Sequence, residues 1–339
     1  MRAIVLREHG GLDKLVFEAD YRDPVCGPED AVIRTRACAL NYHDVFTRRG
    51  MPGITLKLPL IVGNDAAGVV VEVGSAVASV QPGDRVLVDP INRVEHGFLG
   101  ETMDGGLGEW VCLPAHMLMP IDSDVDFASA AALPVAYGTA HRMMVQRGKI
   151  QAGETVLILG ASGGVGTGCV QLAKRAGATV VACASSDEKL ARLKDCGADI
   201  GINYATQDWV AECHQRFGRA NTRGKVGGGL DMVVNFTGGE TWTRGLRVLR
   251  RDGRMLTCGA TAGFDPREDI RYIWTFELNI MGSNGWSRGD ILALLAMVKA
   301  GSLRPVLHPT RYALADGREA MRQIEDRRAF GKVIVETPE

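Results

Sequence analysis

The chain has 339 residues, and 39 Lys and Arg against 40 Asp and Glu give it a formal net charge of -1. Such a balance argues against a general surface for nucleic acid or anionic membranes, since both need an excess of basic groups. With 46% hydrophobic and 23% charged residues, the composition is that of a folded globular protein, and the length favours two domains.

Two features of the sequence argue against export and membrane insertion. The charged residues Arg2, Arg7 and Glu8 interrupt the first apolar run before it reaches the length of a secretory signal. The later apolar runs at 128–137 and 155–159 are much shorter than a membrane span. We therefore expect a protein without membrane contacts that works in the cytoplasm.

The eight cysteines stand singly, without a C-x-x-C pair. In a reducing compartment this pattern is typical of buried free thiols. It favours neither a disulfide framework nor a cluster of cysteine ligands for zinc. The cysteines are Cys26, Cys38, Cys112, Cys169, Cys183, Cys196, Cys213 and Cys258.

Residues 1–122 are predicted to form a β-rich, barrel-like domain, because short apolar runs alternate with turns that contain Gly and Pro. One helix is predicted over 41–49, where Tyr42 and Phe46 share a face and Gly50 ends the pattern. The predicted strands of this region are 2–6, 31–37, 67–73, 84–88 and 108–111.

From residue 126 onward the pattern becomes helical, and from residue 155 strands alternate with helices. This alternation predicts an α/β domain with a doubly wound parallel sheet. Its predicted strands are 155–160, 179–184, 199–203, 231–236, 254–258 and 279–282. Its predicted helices are 126–138, 139–147, 164–176, 187–195 and 240–250. A tail that we expect to return to the first domain contains helix 291–300, strand 307–312, helix 317–327 and strand 332–336.

A glycine-rich turn joins the first strand of this sheet to its helix. Its spacing is G-x-x-G-G-x-G, whereas the dinucleotide fingerprint is G-x-G-x-x-G. A strand, a glycine turn and a helix in this order let the backbone approach a pyrophosphate, whose charge then faces the free N–H groups of the helix. A tight turn without a ligand is the alternative. The turn consists of Gly160, Ala161, Ser162, Gly163, Gly164, Val165 and Gly166.

Short motifs follow one another along nearly the whole chain. They are NYHD at 41–44, PLIVGNDAAG at 59–68, VG at 73–74, PGDRV at 82–86, GTA at 138–140, GAD at 197–199, INY at 202–204 and GKV at 331–333. Together with the glycine turn they resemble the medium-chain dehydrogenase/reductase superfamily. The resemblance implies a GroES-like catalytic domain formed by 1–122 and 287–339, and a Rossmann NADP(H)-binding domain at 123–286. It also implies hydride transfer to or from a nicotinamide.

The resemblance is to the zinc-free quinone oxidoreductase and enoyl reductase branch of that superfamily. Where the zinc alcohol dehydrogenases carry Cys, His and Cys ligands, this chain carries Asn41, Asn64 and Val135. Amide and alkyl groups are poor zinc ligands. The lobe at 90–103, which would hold a structural zinc, contains no cysteine. We therefore predict a protein without a metal at these positions.

The region after the second strand of the sheet favours NADPH over NADH. An NAD site usually carries an acid about 20 residues past the glycine turn. This chain has Ser185 there and Lys189 one helical turn later. The resemblance assigns the additional phosphate of NADPH to Ser185, Lys189 and Tyr204. Against this interpretation, Ser185 and Glu188 also fit a capping box, and Asp187 is close by in sequence.

The resemblance further implies cofactor contacts from residues in both domains. They are Asn41, Thr139, Asn235, Thr237, Gly259, Ala260, Ser283 and Lys332.

Reduction of an activated acceptor suits this chain better than simple alcohol oxidation, because without zinc no Lewis acid polarises an alcohol oxygen or lowers its pKa. We predict that NADPH delivers hydride to a quinone or an α,β-unsaturated carbonyl compound, and that a proton follows. The candidate catalytic residues are Asn41 as an amide donor, Tyr42 as a phenolic donor and His43 as a proton relay. Tyr42 also fits a core aromatic residue, His43 an ordinary surface residue, and Asp44 a structural hydrogen bond.

Two other functions stay open. One is an atypical alcohol dehydrogenase that binds metal through Asp65, His43 or Cys38, and the other is a non-catalytic NADPH-binding protein. Residues 50–53 lack the tyrosine that other enoyl reductases of the superfamily often carry after the first helix, which argues against a fatty-acyl substrate.

Strand 279–282 resembles the sheet-edge strand that pairs with its twin in dimers of the superfamily. An exposed edge strand is otherwise an aggregation hazard, so we predict a homodimer. We expect a small-molecule substrate, no nucleic-acid partner, and a substrate pocket lined by the loops 91–104 and 262–275.

Overall fold

The computed structural model describes residues 1–50, 56–221 and 227–337. The chain divides into two compact units: the first unit is Met1–Ala136 with Arg288–Glu339, and the second unit is Tyr137–Ser287. The predicted boundary after residue 122 differs from this division, because the helix Phe127–Ala131 packs against strands of the first unit. Residues 51–53, where a tyrosine was sought, lie outside the described residues.

Strands make up most of the first unit and alternate with helices in the second. The strands are β1 (Ala3–Leu6), β2 (Leu15–Glu18), β3 (Asp30–Leu40), β4 (Leu60–Ile61), β5 (Asp65–Val73), β6 (Arg85–Val88), β7 (Ile91–Asn92), β8 (Gly97–Phe98), β9 (Trp110–Pro114), β10 (Leu118–Pro120), β11 (Thr155–Ile158), β12 (Thr179–Ala184), β13 (Ile200–Asn203), β14 (Leu230–Val234), β15 (Leu249–Thr257), β16 (Asn279–Gly282), β17 (Leu307–Ala313) and β18 (Lys332–Glu336).

The helices include two π-helical turns, Leu133–Gly138 and Arg142–Arg147, and three short 3-10 turns. The α-helices are α1 (Tyr42–Arg49), α2 (Phe127–Ala131), α3 (Thr139–His141), α4 (Gly164–Arg175), α5 (Asp187–Asp195), α6 (Trp209–Phe217), α7 (Glu240–Leu246), α8 (Arg271–Thr275), α9 (Arg288–Lys299) and α10 (Gly317–Glu325). Among the described residues, no helix combines the length and the apolar character needed to cross a membrane.

Strand β3 is the centre of the first unit. It pairs antiparallel with β5, β9 and β18, in a sheet ordered β10-β6-β5-β3-β18-β17, and a separate sheet is ordered β2-β1-β4. Residues of β3 enter two apolar clusters, with Leu40 in one and Ile33 in the other, so a long buried strand runs through the unit. The tail returns to this unit as predicted, because β18 pairs with β3.

The register of β3 gathers polar residues at one end of this sheet. Ala39 pairs with Asp65, the first residue of β5, and Leu40 pairs with Val333, which follows the first residue of β18. Asn41 comes directly after β3 and precedes α1. Antiparallel pairing therefore brings residues from three distant parts of the sequence together.

The second unit contains a parallel sheet ordered β13-β12-β11-β14-β15-β16. Strand β11 lies between β12 and β14, so the strand order reverses on either side of it. In sheets of this kind ligands bind beyond the carboxyl ends of the strands, next to such a switch point. The predicted α/β class with a doubly wound sheet is confirmed.

Some sequence predictions are wrong in detail. The helix predicted over 240–250 ends at Leu246, because Leu249 already pairs with Leu230 as part of β15. The helices α6 and α8 had no prediction. Four cysteines are buried as expected, but four are only half-buried: Cys26, Cys112, Cys196 and Cys258.

Candidate functional site

A buried polar cluster lies at the end of β3 in the first unit. The Asn41 amide Nδ2 donates to Asp65 Oδ2 at 2.9 Å and to the Ala39 carbonyl at 3.2 Å. Lys332 Nζ donates to Asn41 Oδ1 and, at 3.1 Å, to Asp65 Oδ2. The side chains of Lys332 and Asp65 are only 2% and 0% exposed. Asn41, Asp65 and Lys332 thus form one internal charge network.

The three positions that the resemblance compares with zinc ligands, Asn41, Asn64 and Val135, lie around Asp65. Asn41 contacts one carboxylate oxygen, and the backbone N–H of Val135 donates to the other at 3.1 Å. Asn64, next to Asp65 in sequence, is buried and donates from Nδ2 to the Leu99 carbonyl at 2.8 Å. These positions therefore supply amide and alkyl groups.

The positive charge in this network comes from the Lys332 ammonium. Burial raises the pKa of Asp65, and the charge and hydrogen bonds of Lys332 and Asn41 oppose that rise. A divalent cation at the same carboxylate would meet the repulsion of a fixed positive charge. Among the described residues, no group of three or more His, Cys, Asp and Glu side chains is placed to hold a metal ion.

Asp44 connects this network to the start of α1. Its Oδ2 accepts the backbone N–H of Asn41 at 2.7 Å, and the side chain is fully buried. Burial raises the pKa of Asp44 to about 6, although the Asn41 N–H bond and the charge of His43 oppose the rise. Asp44 therefore makes the structural hydrogen bond that the sequence offered as one interpretation.

His43 and Glu101 form an ion pair at the same helix start. His43 Nε2 hydrogen-bonds to Glu101 Oε2, and the imidazole lies against Phe98 with ring centroids 5.1 Å apart. Burial lowers the pKa of His43, but the hydrogen bond and the charge of Glu101, together with Asp44, outweigh burial and raise it. The pair therefore favours a protonated imidazole.

Tyr42 packs edge-to-face on Phe46, with ring centroids 5.1 Å apart and planes at 77°. The two rings share one face of α1 as predicted, but both side chains are only half-buried, so this contact does not make Tyr42 a core aromatic.

The glycine turn of the second unit depends on the absence of side chains. Gly160 has a φ of +69°, which favours glycine. A Cβ on Gly166 would come within 2.3 Å of the Gly160 carbonyl oxygen. At Gly163, the cap of α4, a Cβ would meet only that same oxygen, at 3.7 Å. The turn is therefore closed on its inner side and open at Gly163, as a phosphate cradle requires.

Most of the other predicted cofactor residues of the second unit follow the carboxyl ends of its strands, whereas Thr139 lies on α3 and Lys189 on α5. Asn235 follows β14 and is buried, and its Oδ1 accepts the N–H groups of Thr237 and Gly238, both at 3.1 Å. Ser283 follows β16, and its buried Oγ has no hydrogen-bond partner among the described residues. Gly259 and Ala260 come shortly after β15.

Of the residues predicted to select the cofactor, two directly follow the paired strands β12 and β13, and Lys189 lies on α5. Ser185 follows β12 and Tyr204 follows β13, and the Tyr204 N–H donates to the Ala184 carbonyl at 3.1 Å. The capping interpretation of Ser185 is wrong: the cap of α5 is Ser186, whose Oγ accepts the Lys189 N–H at 3.3 Å. Ser185 is exposed and does not cap α5.

The nearby acid, Asp187, is held by a neighbouring strand. Its Oδ1 accepts from Asn203 Nδ2 at 2.8 Å. This hydrogen bond explains how an acid is accommodated close to Ser185 and Lys189.

Sequence reasoning missed Glu101 and the pairing of Asp65 with Lys332. The loop 91–104, which contains Glu101, was expected to line a pocket, but nothing in its spacing indicates a contact with His43. Asp65 was considered only as a possible metal ligand. Both contacts join side chains of opposite charge, so they could be found only by asking which charged residues the fold buries together.

Family models match both units. The model for the alcohol dehydrogenase GroES-like domain matches residues 27–123, and the model for zinc-binding dehydrogenase matches residues 164–300. An NADPH-dependent alkenal/one oxidoreductase of Arabidopsis thaliana is 31% identical, over 99% of this chain and 79% of that protein. The chain belongs to the medium-chain dehydrogenase/reductase superfamily.

Other members of the superfamily cover the chain equally well. The quinone oxidoreductase of Homo sapiens is 27% identical, over 99% of this chain and 97% of that protein. A solved structure described as an NAD-dependent alcohol dehydrogenase is 34% identical with a TM-score of 0.90, covering 100% of both chains. The resemblance inferred from the motifs and the predicted combination of GroES-like and Rossmann folds are confirmed.

The buried charge network predicts a large effect of removing its cation. Lys332→Met is expected to lower the free energy of unfolding by about 3 kcal/mol or more, because it leaves the buried Asp65 carboxylate unpaired. Adding Asp65→Asn should restore most of that loss by removing the unpaired charge. Denaturant unfolding followed by circular dichroism measures both changes.

Lys299→Met is the matched control. Lys299 pairs with Asp122 at 3.0 Å, but these side chains are 55% and 53% exposed. Its removal should change the free energy of unfolding by less than about 0.5 kcal/mol. Equal effects of the Lys332 and Lys299 substitutions would contradict the assignment of a buried network.

Proposed function

We propose that this chain is an NADPH-dependent oxidoreductase that reduces a quinone or an α,β-unsaturated carbonyl compound without a catalytic metal. The observation that carries the proposal is the buried network of Lys332, Asp65 and Asn41, in which Asn41 stands at one of the positions that the resemblance compares with zinc ligands. A Lewis acid is one means of activating an alcohol, whereas a conjugated carbonyl is already activated. The matches to an alkenal/one oxidoreductase and a quinone oxidoreductase support this class of acceptor.

The second unit has features that suit a pyridine dinucleotide. Gly160 and Gly166 keep the turn compact, and the open side at Gly163 leaves room for a pyrophosphate beside the N–H groups of α4. The unpartnered Ser283 Oγ offers a further hydrogen bond at the carboxyl edge of the sheet. The bound cofactor supplies the hydride.

The choice of NADPH rests on the ends of β12 and β13. Ser185 stands where an NAD site usually has an acid, and Lys189 and Tyr204 supply a cation and a hydroxyl near it. Asp187 is engaged by Asn203, which limits its competition with a phosphate. The match to an NAD-dependent alcohol dehydrogenase favours the opposite choice, so cofactor preference needs its own measurement.

His43 is the proposed source of the proton that completes the reduction. It holds one proton on Nε2 against Glu101, and its Nδ1 has no hydrogen-bond partner among the described residues. In the protonated imidazole, Nδ1 is therefore the atom that gives up a proton to the reduced acceptor. Asn41 acts as a positioning residue, because its amide hydrogens already go to Asp65 and the Ala39 carbonyl.

The match to an alcohol dehydrogenase also favours a second candidate function, oxidation of an alcohol with a metal bound in an unconventional way. Asp65, one of its candidate ligands, is already paired with Lys332, and His43 with Glu101. These pairs make the metal-free reductase the better account.

We also propose a homodimer in the cytoplasm. Strand β16 lies at an edge of the parallel sheet, and its Ile280 is 38% exposed. Pairing with a second copy would cover that edge.

The proposal predicts a specific pattern of substrates. Purified protein should consume NADPH with quinones, enones or enoyl thioesters, and it should not oxidise simple primary alcohols with NADP+. A fall in NADPH absorbance measures reduction of the acceptor, and a rise measures oxidation of the alcohol. Turnover restricted to alcohols would support the metal-dependent alternative. Intact NADPH binding without turnover on any acceptor would indicate a non-catalytic binding protein.

Cofactor preference should depend on Lys189. Lys189→Ala is expected to weaken NADPH binding about tenfold or more, because a charge-assisted bond to the phosphate is lost. NADH binding should stay within about twofold, since NADH lacks that phosphate. Lys194→Ala, at the other end of the same helix, is the control and should change neither affinity. Fluorescence titration measures all three, and tighter binding of NADH than NADPH by the unchanged protein would overturn the assignment.

Proton transfer should depend on His43 and its partner. His43→Gln is expected to lower kcat at least about tenfold, whereas His116→Gln should leave it unchanged. Glu101 stabilises the charged imidazole, so Glu101→Gln should lower the pKa of His43 and move the alkaline fall in kcat to lower pH. Full turnover by His43→Gln would remove His43 from the mechanism.

A further inference from the structure

Two half-buried thiols of the first unit, Cys26 and Cys112, lie close together away from the site described above. Cys26 Sγ also donates to the Asp30 carbonyl at 3.5 Å, and Cys112 Sγ to the Val25 carbonyl at 3.4 Å. The Cys112 thiol thus contacts the backbone of the residue that precedes Cys26.

The pairing of β9 with β3 explains this contact. Cys112 is opposite Val32, and Pro114 is opposite Asp30, at the start of β3. Along β9, Val111 and Leu113 point into the core, so alternation turns Cys112 toward the opposite face. Cys26 lies on the segment that leads into β3 and reaches that same face.

We propose that Cys26 and Cys112 form a site of oxidative modification, where a hydroperoxide converts the two thiols into an intramolecular disulfide. One thiolate attacks the outer peroxide oxygen, which breaks the O–O bond, forms a sulfenic acid and releases water or an alcohol once a proton is taken up. The second thiol then displaces the sulfenic oxygen as water. Two thiols are oxidised, one peroxide is reduced, and an S–S bond forms.

The surroundings of the pair set its rate. Burial, with Glu72 and Asp30, raises the pKa of Cys26, and burial with Asp30 raises the pKa of Cys112 to about 12. Because the thiolate is the nucleophile, oxidation should be slow at neutral pH and accelerate about tenfold for each pH unit.

The position of the pair predicts what the disulfide does. Val32, opposite Cys112, and Asn41 lie at opposite ends of β3, roughly 30 Å apart along the strand. Oxidation should therefore leave the polar cluster around Asn41 unchanged. A link between distant parts of the sequence restricts the unfolded chain and stabilises the fold.

The test is exposure of the full-length protein to hydrogen peroxide at pH 7 and pH 9, followed by alkylation of free thiols and peptide mapping by mass spectrometry. We expect a linked peptide pair containing Cys26 and Cys112, formed faster at pH 9. The oxidised protein should unfold about 5 °C or more above the reduced protein. NADPH binding should stay within about twofold, and dithiothreitol should reverse the link.

Matched variants separate this site from general cysteine oxidation. Cys26→Ser and Cys112→Ser should each abolish the link and the gain in unfolding temperature. Cys196→Ser removes a half-buried thiol of the second unit and should retain both. Absence of the linked pair at pH 9, or a gain in unfolding temperature that persists in either serine variant, would overturn the proposal. The outcome does not depend on the proposed reductase activity.

Discussion

The ion pair between Lys332 and Asp65 is the contact on which the first unit depends most. Transferring two charges from water to the interior is costly, and their attraction compensates only when further hydrogen bonds complete the geometry. Here Asn41 and the Val135 N–H supply those bonds to the carboxylate. Since the partners belong to β18, β5 and the residue after β3, the pair joins the ends of three strands. The same contact fixes a positive charge beside Asn41.

A different constraint, on the backbone, governs the second unit. The parallel sheet directs loops from neighbouring strand ends to one edge, and the turn at Gly160 and Gly166 can form only without side chains. Cofactor selection then depends on the few side chains that follow β12 and β13. The two units therefore have different roles. The backbone shape of the second unit suits a dinucleotide, and the buried charge of the first unit suits a metal-free reduction.

Sequence patterns predicted the features that depend on local spacing or on recognisable motifs. Features of this kind are the glycine turn, the doubly wound sheet and the absence of zinc-binding side chains at Asn41 and Asn64, which carry amides instead. Contacts between distant residues were not accessible, because no local pattern relates His43 to Glu101 or Cys26 to Cys112. Ser185 shows a finer limit: its spacing to Glu188 fits a capping box, yet Ser186 forms the cap, since both serines have capping chemistry and only the backbone decides between them.

The most direct test of the metal-free account combines metal analysis with turnover. Inductively coupled plasma mass spectrometry of the purified protein is compared with NADPH-dependent reduction of an enone or quinone before and after treatment with a strong chelator. With the Lys332 ammonium beside Asp65, the account predicts far less than one zinc per chain and unchanged turnover after chelation. One tightly bound zinc per chain, whose removal abolishes turnover and whose return restores it, would contradict the account.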